Sequence, residues 1–220
     1  MRRIIYTTLL ALITITVFGQ KHFRLSFAAT PSVNWMNTNN SMADREKSVL
    51  GYDFGLNGDL YFSDDERYGL ATGLQILNTG GQIAYAANSD FSFSGATMPA
   101  HSKIKYRLRY VEIPVTIKLK TDQFNRVRYW GIFGFSTMIN IGATGESDNG
   151  LLKKANINDE VNMFNLAMNV GLGYDYDLGG NNALSVGLIF QNGLIDVTTD
   201  NYFNDKTIIN SLKFKLGLIF

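Results

Sequence analysis

The chain has 220 residues, 20 basic and 19 acidic side chains, no cysteine and 21 glycines. A net charge of +1 excludes a nucleic-acid-binding protein that relies on bulk positive charge. The lack of cysteine excludes a disulfide scaffold, a thiolate metal site, a cysteine nucleophile and an acylated lipoprotein.

The first 19 residues have the pattern of an export signal. Two arginines precede an uncharged apolar run over 4–18, and Val17 and Gly19 are small enough for the positions before a cleavage site. A membrane anchor is the alternative interpretation, but this run is short for a bilayer span. We predict that 1–19 is a cleaved signal peptide and that 20–220 is a single exported domain.

The rest of the chain alternates between apolar and small or polar residues, which is the period of a β-strand. Between Leu50 and Phe62 every second residue is apolar or glycine, and the runs Phe164–Tyr176 and Leu212–Phe220 alternate in the same way. The alternation predicts eight strands, near 22–36, 48–62, 68–78, 104–120, 128–143, 161–176, 182–191 and 207–220.

The fourth predicted strand changes the parity of its apolar residues. Even positions are apolar up to Tyr110, odd positions are apolar from Val111 onward, and Pro114 follows shortly after. A β-bulge reverses the facing of a strand and tolerates a residue without an N–H group. We therefore expect a bulge in this strand.

Short and long connections follow one another strictly. The gaps 63–67, 121–127 and 177–181 are short, whereas the other four, at 37–47, 79–103, 144–160 and 192–206, are long. This layout, with an even number of strands, is typical of outer-membrane barrels. We predict an all-β fold, an eight-stranded antiparallel up-and-down transmembrane β-barrel with both termini in the periplasm.

A soluble lipocalin-like cup is the rival interpretation, and the distribution of side-chain size distinguishes the two. Glycines such as Gly51, Gly55, Gly171 and Gly173 lie on the polar face and suit a crowded interior. The large apolar residues then face outward, where lipid accommodates a continuous band of them. We expect the outer membrane of a Gram-negative bacterium.

Charged residues on the polar face are expected to project into the barrel. Buried charges need partners, so an interior ion-pair network is the first interpretation, and a gated polar path or ligand pocket is the second. The residues of this candidate network are Arg24, Asp53, Asp59, Arg107, Arg109, Asp175, Lys213 and Lys215.

The segment 107–118, followed by the tyrosine- and glycine-rich run 129–135, resembles the PorT-like outer-membrane β-barrel family. That family shows a Tyr-hydrophobic-Glu-Ile-Pro run that leads into a lysine-bearing strand. The matching positions here are Tyr110, Val111, Glu112, Ile113, Pro114 and Lys118. The resemblance implies an outer-membrane barrel and, through the founding member of the family, an accessory role in protein secretion. Phe220 resembles the terminal signal that the barrel-assembly machinery reads.

The loops 79–103 and 192–206 carry more apolar residues than a solvated loop requires. Tyr85, Phe91 and Phe93 are the candidate binding surface of an adhesin or ligand-binding barrel. The alternative is that local alternation extends the neighbouring strands beyond the bilayer.

Catalytic chemistry is sparse. His101 lies beside Ser102, with Asp90 earlier in the same loop, but neighbours in a loop do not make a catalytic triad, so a rim-active hydrolase is less favoured. We predict a non-enzymatic, monomeric barrel without metal or cofactor. Its expected partners are outer-membrane lipid, the assembly machinery and a secretion or surface protein, with no nucleic acid.

Overall fold

A computed structural model describes residues 23–39, 43–85, 90–199 and 206–220. The predicted signal peptide and His22 lie outside these residues, as do Tyr202 and Phe203 of the last long loop. In the described parts of the chain no helix is long and apolar enough to span a bilayer. The strands are β1 (Phe23–Thr38), β2 (Ala43–Lys47), β3 (Val49–Tyr61), β4 (Tyr68–Tyr85), β5 (Phe91–Phe93), β6 (Ala96–Met98), β7 (Lys103–Lys120), β8 (Val127–Ser147), β9 (Ala155–Asn156), β10 (Phe164–Gly179), β11 (Asn182–Gly193) and β12 (Thr207–Ile219).

Eight of these strands close into an antiparallel barrel. Its order is β1-β3-β4-β7-β8-β10-β11-β12, and β12 pairs with β1 to complete the ring. The closing register runs from Ser26 opposite Ile219 to Thr38 opposite Thr207. Because every barrel strand has two neighbours, backbone N–H and C=O groups are satisfied without solvent. The predicted fold class is confirmed.

The two ends of the barrel differ in the length of their connections. The short-turn end carries the turns after β3, β7 and β10 together with the described chain termini, and the long-loop end carries the other connections. Strands β4, β7 and β8 contain 18, 18 and 21 residues, against 12 in β11 and 13 in β12. The wall therefore rises higher on the β4–β7–β8 side of the long-loop end.

An apolar belt surrounds the barrel. Leu56 is 51% exposed, Ile117 54% and Leu172 68%, and similar side chains continue around all eight strands. The alternating positions, including Asp53, Asp59 and Lys213, point inward and are buried. A soluble cup would show the opposite distribution, so that alternative is wrong.

The predicted β-bulge lies on a different strand from the one expected. Along β7 the even residues face inward without interruption, from Ile104 through Tyr110 to Lys118. The register shift is on β8, where Arg109 pairs with Gly142 and Tyr110 with Asn140, which leaves Ile141 without a partner.

The change of apolar parity on β7 has another cause. From Tyr110 toward the long-loop end, which we call above, the interior is apolar and the outward residues are charged. Toward the short-turn end, below Tyr110, the interior is polar and the outward residues are apolar. The strand crosses a boundary between two environments, and its side chains exchange character there while the backbone continues unchanged.

We expect the folded barrel to resist detergent. Unboiled and boiled samples from purified outer membranes should migrate differently on an SDS gel, because a closed sheet has no edge from which to unfold. A single mobility, with the protein recovered in the soluble periplasmic fraction, would contradict the membrane-spanning assignment.

Candidate functional site

The interior of the barrel is the part of the molecule richest in buried charge. Its middle cluster joins three strands, because Lys213 Nζ of β12 lies 2.9 Å from Glu112 Oε2 of β7 and 3.3 Å from Asp53 Oδ2 of β3. The amide of Gln191 donates to Glu112 Oε1 at 2.6 Å and to Asn169 Oδ1 at 3.1 Å. One lysine and one glutamate thus tie opposite sides of the wall together.

A second cluster lies nearer the short-turn end. Lys118 Nζ is 2.5 Å from Asp59 Oδ2, and Lys120 Nζ is 2.9 Å from Asp175 Oδ2. The Tyr61 hydroxyl donates to Asp59 Oδ2 at 3.2 Å and accepts from Lys120 Nζ at 3.2 Å, which links the two ion pairs. Each of these buried charges therefore lies beside an opposite charge, as burial requires.

Trp130 occupies the interior between two cations. Lys118 Nζ is 5.6 Å and Lys215 Nζ 5.5 Å from the centroid of its ring, within the range of cation–π attraction. A Cβ on Gly173 or Gly187 would lie 2.4 Å from a ring carbon of Trp130. These two glycines on the small face of the wall therefore make room for the indole ring.

The short-turn rim carries a third charged group. Glu66 accepts from Arg24 Nε at 2.9 Å and from Arg128 Nη1 at 2.9 Å. This rim group lines an opening of about 310 Å³, whereas little space remains between the two interior clusters, where the cavity has a volume of about 60 Å³. That volume holds a few water molecules and no continuous column of water.

The interior at the long-loop end is closed by apolar side chains. Met36, Leu77, Leu108 and Tyr110 are each at most 2% exposed, and they belong to one buried cluster. This cluster fills the barrel above the charged clusters. The interior is therefore closed twice, by ion pairs toward the short-turn end and by this apolar cluster toward the long-loop end. We call the apolar cluster the apolar stopper.

A small hairpin formed by β5 and β6 completes this apolar stopper. Phe93 meets Tyr106 edge-on at 5.9 Å, and Phe91 lies 5.4 Å from Tyr85. The turn residues Ser94 and Gly95 have φ values of 49° and 76°, the left-handed geometry of a two-residue hairpin turn.

The hairpin tip is held by the next long loop. Ser94 N donates to Glu160 Oε1 at 2.7 Å, and Ser94 Oγ donates to Asn156 O at 2.8 Å. The alternation around the Ser-Gly pair is the sequence signal that predicts this hairpin, and sequence reasoning missed it.

The structure brings most of the predicted lumen charges together. Asp53, Asp59, Asp175 and Lys213 lie in the two interior clusters, Lys215 packs on Trp130, and Arg24 lies at the rim. Glu112 and Lys118, which were predicted only as residues of the family motif, join the same clusters. Lys120, Arg128 and Glu66 complete the groups and were not predicted. They lie at strand ends and in a turn, where periodicity gives little information on facing.

Arg107 and Arg109 are corrections to the predicted network, because both face outward. Arg107 is half-exposed and lies 3.6 Å from Glu146, and exposed Arg109 donates to Asn78 Oδ1 at 3.3 Å. The error followed from assigning every apolar residue of β7 to the lipid side. Above Tyr110 the apolar residues pack inside instead.

The residues of the family motif divide between the two faces of β7. Tyr110, Glu112 and Lys118 are buried in the interior, Pro114 is half-buried, and Ile113 is 40% exposed on the apolar belt. The motif therefore supplies one member to each interior cluster. Phe220 lies outward at the short-turn end, and its N–H donates to Leu25 O at 2.9 Å.

The predicted loop binding surface is also corrected. Tyr85, Phe91 and Phe93 are each 6% exposed, because they pack into the apolar stopper. Ile83 and Tyr85 extend β4, whereas Phe91 and Phe93 belong to the separate hairpin. These aromatic side chains are not available to a partner protein.

The structure does not assemble a triad around His101. Ser102 Oγ donates to Pro99 O at 2.7 Å, and Asp90 Oδ1 accepts from Ala100 N at 3.3 Å. Among the described residues no hydrogen bond joins His101 to either side chain. The same residues contain no group of three or more His, Asp or Glu side chains that could hold a metal ion.

Comparison with known proteins agrees with this architecture. Residues 18–199 match the family described as outer membrane protein beta-barrel domain. The chain belongs to this family. No curated protein sequence matches it.

Among solved structures, this family member is similar to Neisserial surface protein A, with 13% identity, a TM-score of 0.49, and coverage of 89% of this chain and 95% of that one. It is similar to OprG from Pseudomonas aeruginosa, with 11% identity, a TM-score of 0.49, and coverage of 90% and 96%. It is also similar to Ail of Yersinia pestis, with 11% identity, a TM-score of 0.43, and coverage of 90% and 99%.

Removing one partner from the middle cluster should destabilise the barrel. Glu112→Gln leaves Lys213 with only the longer contact to Asp53, and we expect the free energy of unfolding to fall by about 3 kcal/mol. Urea unfolding in detergent micelles, followed by tryptophan fluorescence, measures the change.

The matched control is Arg67→Gln, which breaks the exposed pair with Asp122. It should cost less than about 1 kcal/mol because solvent screens that pair. Equal stability of Glu112→Gln and the unaltered protein would show that the middle cluster does not hold the wall together.

Proposed function

We propose that this outer-membrane barrel is non-enzymatic and non-conducting, with a structural or interaction role at its outer surface. The double closure of the interior carries the proposal. Ion pairs close the barrel from Asp53 to Asp175, and the apolar stopper closes it above Tyr110. A barrel of eight strands has no spare width for a pore beside such contents.

The surroundings of His101 support the non-enzymatic part of the proposal. A nucleophile needs a base within hydrogen-bond reach, and the hydroxyl of Ser102 donates to Pro99 O instead. The buried carboxylates of the interior are engaged by lysines, and the apolar stopper separates them from the long-loop end.

The route to the membrane belongs to the same proposal. Export would use the signal peptide over 1–19, and the barrel-assembly machinery would read the C-terminal strand ending in Phe220, whose side chain is exposed at the short-turn end. The closed ring of strands supports a monomer, since no barrel edge is left for a second copy to pair with.

Electrical measurements test the closure. In planar lipid bilayers the unaltered protein should show no stepwise conductance. Deleting 91–98 alone should leave it closed, because the ion pairs remain. Adding Lys118→Ala and Trp130→Ala to that deletion should still give no conducting steps, since the cluster of Lys213, Glu112 and Asp53 and the apolar side chains of Leu108 and Tyr110 remain. Stepwise conductance of the unaltered protein would overturn the proposal.

As the finer assignment, we propose that the chain is a PorT-like protein and an accessory to protein secretion. Support comes from the motif residues Tyr110, Glu112 and Lys118, all of which are built into the interior. An adhesin role would have to use other outer residues, such as exposed Leu151 and Ile195, because the predicted aromatic surface is buried.

Deletion of the gene tests the secretion role. We expect a subset of exported proteins to disappear from the medium and accumulate in the periplasm, as measured by quantitative mass spectrometry of both fractions. The unaltered gene should restore them. An unchanged set of secreted proteins would contradict the secretion role and leave the closed-barrel proposal untouched.

A further inference from the structure

Positive charge is concentrated on one side of the outer wall, directly beyond the apolar belt. On β7 the outward residues change from Val111 to Arg109, Arg107, Lys105 and Lys103 toward the long-loop end. A strand advances roughly 3.4 Å per residue, so Arg109 and Arg107 follow the last apolar residue at roughly 7 Å intervals along the strand. One such interval is about the thickness of the headgroup layer on one side of a bilayer.

On the opposite side, no charged side chain faces outward at the long-loop ends of the described strands β11 and β12, although exposed Lys206 lies just before β12. The positions on the outward face there are Asn192, Ile208 and Asn210. Asn210 is itself buried and accepts a hydrogen bond from Asn192 Nδ2 at 2.7 Å. The basic surface is therefore local and does not form a ring around the barrel.

An open groove of about 450 Å³ lies at this surface. Its cations are Arg107, Arg109 and Lys154, and its amides are those of Asn78, Asn156 and Asn158; no carboxylate lines it. Glu146 lies 3.6 Å from Arg107, but among the described residues no salt bridge joins Arg109 or Lys154 to a carboxylate. The groove therefore keeps a net positive charge, which favours an anion from outside.

Each of the two arginines makes a contact through its Nε atom and keeps hydrogen-bonding capacity at its terminal nitrogens. Arg107 Nε lies 3.6 Å from Glu146, and Arg109 Nε donates to Asn78. Among the described residues neither guanidinium uses its terminal nitrogens in a hydrogen bond. Two such groups, on alternate residues of one strand, suit the oxygens of a phosphate, which guanidinium nitrogens bind in pairs.

The side of the groove that β3 forms is apolar. Leu50 is 85% exposed and Tyr52 53% exposed, and both line the groove and continue the belt. A ligand that fits both parts has a phosphate at one end and hydrocarbon at the other. This combination distinguishes a membrane lipid from a soluble anion.

We propose that this groove binds the phosphate-bearing headgroup of a glycolipid in the outer leaflet, with the acyl chains against Leu50 and Tyr52. Arg107, Arg109 and Lys154 contact the phosphate. The site goes beyond the proposed closed-barrel role and does not depend on it, since it lies on the outer wall.

The test is a titration of the purified, detergent-solubilised barrel with bisphosphorylated lipid A, followed by native mass spectrometry. The double variant Arg107→Gln, Arg109→Gln should weaken binding by roughly tenfold or more, as the loss of charge-assisted hydrogen bonds implies. Arg126→Gln is the matched control, because it removes an exposed arginine at the short-turn end and should leave binding unchanged.

Two further arms identify the ligand. Lipid A without phosphates should bind at least roughly tenfold more weakly, and inorganic pyrophosphate alone should bind far more weakly than the lipid. Leu50→Asn, which removes the apolar side chain without adding charge, should weaken lipid binding and leave pyrophosphate binding as it was. Each variant is first checked for the gel shift of a folded barrel, and Lys154→Gln replaces the double variant if that one does not fold.

Equal affinity of the double variant and the unaltered protein would overturn the proposal. So would equal affinity for dephosphorylated lipid A, since the site would then recognise acyl chains alone. Pyrophosphate binding as tight as that of the lipid would identify a soluble-anion site and would also overturn it.

Discussion

A single constraint organises this barrel, namely that each strand must match two solvents along its length. Within the bilayer apolar side chains face out toward lipid, and beyond it they must face in, away from water. On β7 the exchange occurs between Arg109 and Val111 on the outer face, and between Tyr110 and Glu112 on the inner face. The backbone of this strand needs no irregularity, whereas β8 reaches the same result with a bulge at Ile141.

The two closures of the interior follow from this exchange. Where lipid takes the large apolar residues, the inner positions hold glycine, small residues and charges, and each cluster of charges pairs across the barrel. Where water surrounds the wall, the interior becomes a hydrophobic core such as a soluble protein has, and the hairpin ending at Met98 folds into it. The ion-pair clusters specify which strands approach one another, and the apolar stopper excludes water from the long-loop end of the interior.

The same exchange decides what the protein presents outside the bilayer. With the interior closed and Phe91 and Phe93 buried, the accessible chemistry lies on the wall and on the remaining loop residues. The arginines of β7 fall at the level where apolar belt gives way to charge, so they meet the headgroup layer and not bulk water. The proposed surface role therefore rests on how the barrel is filled.

The sequence alone determined the eight strands, their short and long connections and the closed barrel, because a period of two and the connection lengths are local properties of the chain. It also identified Asp53, Asp59 and Lys213 as interior charges, since they alternate with lipid-facing residues. It misplaced Arg107 and Arg109, because alternation shows that two faces differ and does not show which solvent each face meets. Only the tertiary structure decided that, by setting the height of each strand against its neighbours and by packing a distant hairpin into the end of the barrel.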